Sequence, residues 1–492
     1  MSTSDSNFKQ ALWLGMGQLC TFALSFISAA ILSRFFDKVE YGTYKQILYV
    51  YNTLQTLFTV GLPSVFSYFI PRLEHGQQKF LIKGLNRVLL LLGFVFSLSL
   101  FFLSDFIADL LNNQELSRGL KIFSPFPLFT LPAMGVEGIY TALRNTRSIA
   151  VYTIISKTLM LLCILFPVLC LHTGYEGAII GWGFASLLTF IVAMYMKRKP
   201  FLHVQEQLVE KMYQTIFNYS LPLMGAFVAG FFLHSADQFF VSRYYGTVTF
   251  AVFSNGCLAI PLATMISSSV KNVLLPLFSK SEKDGNMLQA VTTYKNAVKR
   301  SIVLVFPILI FCIFFSQEIM VFVFGQQYAE SHTYFRLYTI REFVAVLPYY
   351  SVLLALGLTR VYMYMHLLGT IYIWLADFII VSYGLSSEFI VLISSSFSIF
   401  CSIFAFNYIY RQRNVNLITW DLVMYMLKVI LHCIIILYAI RLLISCFFIC
   451  GQPVIVLISG VVLFYLLLLL TGKILRINYF ESFLQLINRR VK

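Results

Sequence analysis

Residues 11–33 read ALWLGMGQLCTFALSFISAAILS, 23 positions without a charged side chain. A helix needs about 20 apolar residues to cross a hydrocarbon core about 30 Å thick. The apolar part of a cleavable signal runs only about 7–15 residues, so this stretch is expected to stay as a first membrane span. The rest of the chain repeats the pattern. Of 492 residues, 59% are hydrophobic and 12% charged. Soluble domains carry about 25% charge, and half of that cannot cover a soluble fold of this length. A soluble enzyme, a disordered chain and a secreted disulfide scaffold are thereby excluded. The nine cysteines are scattered in or beside apolar runs with no Cys-x-x-Cys, and read as small buried hydrophobes. Cys446 and Cys450 are one helical turn apart, with nothing nearby to complete a metal site.

Charge breaks divide the chain into fourteen predicted spans: 11–33, 47–70, 86–104, 121–143, 150–171, 177–196, 217–242, 250–277, 302–325, 334–357, 361–382, 388–410, 420–445 and 453–473. Backbone polar groups in lipid must pair within the segment, so the predicted fold class is all-α integral membrane. An even count puts both termini on one side. With that side cytoplasmic, the tally assigns 25 of the 36 Lys and Arg to it, 9 to the opposite side, and Lys157 and Lys428 to the spans. This is the positive-inside asymmetry. The net charge of +15 therefore orients the chain against anionic lipid. No compact basic domain stands outside the membrane to bind nucleic acid.

The polar stretch 197–216 separates six spans from eight. The expected organisation is a first lobe over 1–196, a cytoplasmic linker over 197–216, a second lobe over 217–410, and an appended helix pair with a tail over 411–492. The lobes echo each other. Ser33-Arg34-Phe35-Phe36 through Tyr44 aligns with Ser242-Arg243-Tyr244-Tyr245 through Phe253 at an offset of 209, with Ser, Arg and Val shared and aromatics matched at four positions. Leu131-Pro132 followed by Thr146-Arg147 matches Leu347-Pro348 followed by Thr359-Arg360. Six spans per lobe give both copies one orientation, so parallel repeats about a pseudo-two-fold axis are expected, with a site between them.

Several stretches resemble polysaccharide flippases of the multidrug/oligosaccharidyl-lipid/polysaccharide exporter superfamily. They are Leu32-Ser33-Arg34-Phe35-Phe36 through Glu40-Tyr41-Gly42-Thr43-Tyr44, Leu221-Pro222-Leu223, Ala236-Asp237-Gln238-Phe239-Phe240 before Tyr245-Gly246, and Leu274-Leu275-Pro276-Leu277-Phe278. The resemblance covers about residues 8–475. It implies a transporter rather than an enzyme. The implied cargo is an undecaprenyl-diphosphate-linked oligosaccharide repeat unit, moved across the bacterial inner membrane for O-antigen, capsule or exopolysaccharide assembly. Movement would be by alternating access coupled to a proton or other ion gradient, without a cofactor. Implied partners are the lipid-linked oligosaccharide, membrane lipids, and a polysaccharide polymerase with its chain-length machinery. Related lipid II flippases carry arginine in their first helix, and residues 11–33 hold no charge. Drug exporters of the superfamily usually have twelve spans.

A diphosphate headgroup needs cations, and a sugar chain needs a polar groove with aromatic faces. Charge at mid-membrane is costly and usually marks a pathway. Arg34 and Arg243 stand at equivalent repeat positions and could take phosphate oxygens bidentately, with Lys45 beside them. Arg144, Arg147 and Lys157 could capture the diphosphate where the fourth and fifth spans meet the cytoplasm, with Arg360 the repeat counterpart. The plainer reading of these arginines is interface snorkelling and orientation charge. Tyr49, Asn52 and Gln55, with Tyr51, suit a sugar-facing wall. His234 and Asp237, three apart on one helix face, could carry a coupling proton, or simply pair. Glu137 is a further ion-coupling candidate, or the salt-bridge partner of Lys157. His366 and Asp377 are further polar groups within spans. Lys428 and His432 read as structural, or as contacts to anionic lipid.

Two other classes stay open. A membrane polymerase or ligase would need a large outer loop, and the longest here is about Asp105–Leu120. A small-molecule or drug antiporter differs by its cargo. No G-x-x-x-x-G-K-[ST] occurs, so this chain holds no P-loop nucleotide motor.

Overall fold

Each apolar run folds as a helix, as a backbone in hydrocarbon must. The computed structural model describes residues 3–59, 61–447 and 453–481, and every regular element in them is helical. Two units are distinguished, Met1–Ala251 and Val252–Lys492.

In the first unit, α1 (Thr3–Phe35) turns into α2 (Lys38–Thr59) at Asp37. The Asp37 carboxylate accepts hydrogen bonds from the amides of Val39 and Glu40 at 2.8 and 2.7 Å, satisfying donors that a helix start leaves orphaned. A 49° bend carries α2 into α3 (Leu62–Phe69) and a short turn ending at Arg72. A capping box of Glu74 and Gln77 opens α4 (His75–Phe102). The predicted longest outer loop folds as α5 (Ser104–Leu110) and the start of α6 (Glu115–Phe123). A 51° bend then leads to α7 (Pro127–Ala133) and α8 (Val136–Ala142). The Asn145 side chain accepts from the Ser148 amide to start α9 (Thr146–Cys170), which packs on α1 and on α10 (Tyr175–Arg198). The 33-residue α11 (Met212–Tyr244) covers the seventh predicted span, and α12 (Gly246–Gly256) follows it. Phe66, Leu85, Leu89, Val136 and Ile139 form the buried core where α3, α4 and α8 meet.

In the second unit, α13 (Pro261–Asp284), α14 (Met287–Phe314), α15 (Ser316–Phe324), α16 (Ser331–Ala345), α17 (Tyr349–Ala355), α18 (Thr359–Ser382), α19 (Glu388–Arg413), α20 (Trp420–Phe447) and α21 (Pro453–Gly472) follow. The helix pair predicted as an appendage packs on this unit, α20 against α14 and α21 against α15.

Eleven helices among the described residues are long and apolar enough to span, or thirteen when each of two bent pairs is one span, against fourteen predicted. The differences are local. Span 47–70 breaks at Gly61, span 121–143 at Gly135, and span 250–277 divides into α12 and α13. Stretch 197–216 is only in part a connection. Lys197 and Arg198 complete α10, and α11 starts at Met212. The residues between are docked on α4. Lys79 donates to the Val204 carbonyl at 2.7 Å, Lys83 pairs with Glu206 at 2.8 Å, and the Gln207 amide donates to the Gly76 carbonyl at 3.1 Å.

Candidate functional site

The break after Leu131-Pro132 organises the first unit. Met134 is extended and Gly135 has φ +90°, a left-handed backbone that favours glycine. A Cβ at Gly135 would overlap the Phe66 ring, so the helix can turn there only without a side chain. The break leaves the Pro132 carbonyl without a helical amide. The Lys197 ammonium fills that role, donating to the Pro132 carbonyl at 2.8 Å and to Asn86 Oδ1 at 2.9 Å. It also lies 4.9 Å from the Phe66 ring centroid. Lys197 is fully buried, and no carboxylate pairs with it among the described residues. The charge pattern had counted it as a loop charge. Its place is in a span, because α10 runs one turn further than its apolar stretch.

Two other intramembrane cations of this unit are in no ion pair among the described residues. Lys45, on α2, lies 5.2 Å from the Tyr41 ring. Lys157, on α9, is half-buried. Glu137, its suggested partner, is exposed in the first turn of α8 and does not bridge to it. Arg144 is exposed, and Arg147 lies 5.8 Å from the Trp13 ring.

The two echoed arginines sit differently. Arg34 is exposed at the end of α1. Arg243 is half-buried, lies 5.4 Å from the Tyr244 ring and donates to the Leu110 carbonyl that ends α5. Beside it runs a buried amide chain. Asn113 donates to Thr43 Oγ1 at 2.9 Å and to Gln46 Oε1 at 2.6 Å, and Gln46 donates to Ser242 Oγ at 2.8 Å. Of the proposed sugar wall, Asn52 is exposed and Tyr49 packs on Phe250 at 6.0 Å. Gln55 donates to the Tyr51 hydroxyl at 2.8 Å, and Tyr51 is core, ringed by Phe96, Phe123 and Trp182. Asp237 is half-buried on α11, and the side chain of His234 lies outside the described residues.

The second unit holds charges within its spans that the tally of charges by side concealed. Lys271 lies in the middle of α13, and Arg341 and Glu342 lie on α16. The charge tally had counted Lys271 and Arg341 as lying on either side of the membrane, although predicted spans 250–277 and 334–357 contain them, and had passed over Glu342. Glu342 is 7% exposed and lies within Coulombic reach of Lys271 and Arg341. Arg341 stacks on Tyr338 at 3.5 Å. A polar residue in the middle of an apolar run was the available signal, and counting charges between runs erased it. His366 stacks on Tyr350 at 5.4 Å and packs at a tilt against Tyr362 at 4.5 Å, and Asp377 is buried on α18. Arg360 and Lys428 are exposed. His432 is structural, with ring nitrogens 3.0 Å from the Tyr479 hydroxyl and 2.8 Å from Thr471 Oγ1. Arg441 grips Glu318 through two bonds of 2.6 and 3.1 Å. No group of three or more metal-ligating side chains occurs among the described residues.

A family model described as polysaccharide biosynthesis protein matches residues 31–333, more than half of the chain. No curated protein matches the chain in sequence. Among solved structures, the inward closed conformation of the lipid II flippase MurJ is similar with a TM-score of 0.72, at 15% identity, over 95% of this chain and 99% of that one. A superfamily transporter from Pyrococcus furiosus gives 0.61 at 12% identity, over 84% and 97%. An outward-facing multidrug resistance MATE transporter gives 0.58 at 11% identity, over 84% and 97%. At these identities the likeness establishes the fold, and the proteins that share it are flippases and transporters.

Proposed function

The chain belongs to the polysaccharide biosynthesis protein family, and from that premise we propose that it flips undecaprenyl-diphosphate-linked oligosaccharide repeat units across the bacterial inner membrane for surface polysaccharide assembly. It does so by alternating access, with both termini cytoplasmic. The observation that carries this reading is the sign of the unpaired intramembrane charge. Lys45 and Lys157 are cations inside membrane helices, and among the described residues no carboxylate pairs with them. A buried ammonium is costly unless an anion meets it, and a diphosphate supplies that anion. A cationic drug would call for the opposite polarity, which argues against the antiporter reading.

The test is a deletion strain scored for surface polysaccharide and for lipid-linked repeat units retained on the cytoplasmic leaflet. Loss of glycan with accumulation inside is expected, and unchanged glycan defeats the assignment. Complementation with Lys157→Met should lower transport by about tenfold, the worth of one charge-assisted hydrogen bond, with normal membrane insertion. Coupling to an ion gradient is proposed to run through Asp237. Asp237→Asn should slow transport, and full activity at every external pH removes that role.

A further inference from the structure

A cavity of about 560 Å³ opens between α9 and α10, on the flank of the first unit. Its walls are apolar, with Ile155 and Leu159 on α9 and Val192 and Met196 on α10. Ile155 is 59% exposed and Val192 45%, so the groove faces outward from its own unit. One end is polar, where Asn145, Arg147 and Ser148 line it. On the α9 wheel the mean direction of the lining residues and Lys157 are about 175° apart at 100° per residue. The groove is therefore separate from the face that carries the intramembrane lysine.

The polar end is electropositive. Arg147 lines it, Arg144 directly precedes the lining residue Asn145, and Arg198 and Lys199 follow the lining residue Met196 by two and three positions. None of the four forms an ion pair among the described residues. The apolar part has the depth of one leaflet. From Arg147 to Leu159 the helix rises about 18 Å, against about 15 Å for half of a hydrocarbon core. A ligand that fits carries a negative headgroup on an apolar chain one leaflet long.

We propose that this groove is a binding site for one anionic phospholipid, drawn from the leaflet that meets the N-terminus of α9. The phosphate sits against Arg147 and the first turn of α9, and an acyl chain lies between Ile155 and Val192. The site does not depend on the flippase reading, because any anionic phospholipid of the bilayer satisfies it.

The test measures binding of phosphatidylglycerol and of phosphatidylcholine with matched chains to the delipidated full-length protein, by native mass spectrometry. The first phosphatidylglycerol should bind preferentially. Arg147→Ala should weaken it about fivefold, the electrostatic worth of one basic residue at a lipid surface. Arg147→Lys should restore most of it. Ile155→Trp with Val192→Trp should remove the preferred site by filling it, and Arg411→Ala should leave it unchanged. An unaltered unfolding midpoint in each variant shows that the fold is intact. Equal binding of the two phospholipids overturns the proposal, as does an effect of Arg147→Ala below twofold. Displacement of phosphatidylglycerol by a long-chain polyprenyl diphosphate, lost in Arg147→Ala, would make the groove a substrate seat and overturn it too.

Discussion

The first unit breaks a span after Leu131-Pro132 and the second at Leu347-Pro348. In each, a basic residue near the end of a later helix reaches back to that span, to the break itself in the first unit and to the far end of α17 in the second. In the first unit Lys197 takes the Pro132 carbonyl at 2.8 Å, fully buried, with only neutral partners among the described residues. In the second unit Arg413 takes the Leu356 carbonyl at 3.2 Å and pairs with Glu282 at 2.8 Å, with 41% of its side chain exposed. Both cations cap a helix end. The difference is solvent. A cap open to water can be replaced by water, whereas a buried one cannot.

That contrast sets an order of effects, read as unfolding free energies in detergent. Lys197→Met should have the largest, about 3–5 kcal/mol, because it orphans two buried acceptors of a charged donor. Arg413→Met should cost about 0.5–1 kcal/mol. Equal losses at the two positions would break the comparison. Next comes Gly135→Ala, at about 2–3 kcal/mol, which adds overlap with Phe66 to left-handed strain. Gly357, between α17 and α18, is also left-handed, at φ +70°, but has open space around it. Gly357→Ala should therefore cost only the strain, about 1–2 kcal/mol. A Gly135→Ala loss no greater than that at Gly357 would mean that Phe66 moves aside.

Arg441→Met should cost about 2 kcal/mol by leaving Glu318 half-buried and unpaired, and Glu318→Gln should cost less. The smallest effect belongs to Asp105, outside the spans. Bonds from Lys121 and Ser117 hold its carboxyl below the ordinary carboxylate value. A lowered folded-state pKa stabilises above the unfolded value of about 4, and the benefit is lost as pH falls through the folded one. Asp105→Asn should flatten the pH dependence of the unfolding midpoint only in that acid window.

The breaks themselves were half legible. Leu-Pro followed by Thr-Arg marks both, and the structure places a helix break at each Leu-Pro and a helix start at each Thr-Arg. Nothing local says that α10 continues to Arg198, because Lys197 and Arg198 look like any charged flank. A charge near the edge of an apolar run is read as loop unless the neighbouring helix is known to cover it. Lys271, Arg341 and Glu342 were legible, because they lie inside predicted spans, and only the tally of charges by side hid them. Tyr51 and Tyr49 are one turn-step apart in sequence, yet only packing against Phe96, Phe123 and Trp182 makes Tyr51 core.

From the sequence alone came the membrane class, the helical fold and the approximate span positions, since a lipid solvent imposes length and apolarity residue by residue. The tertiary structure alone decided which cations are buried without an anion, which arginine caps a carbonyl, and where a groove opens. Those outcomes depend on helices far apart in the chain meeting at particular faces, and solvation at a side chain is a property of its neighbours in space.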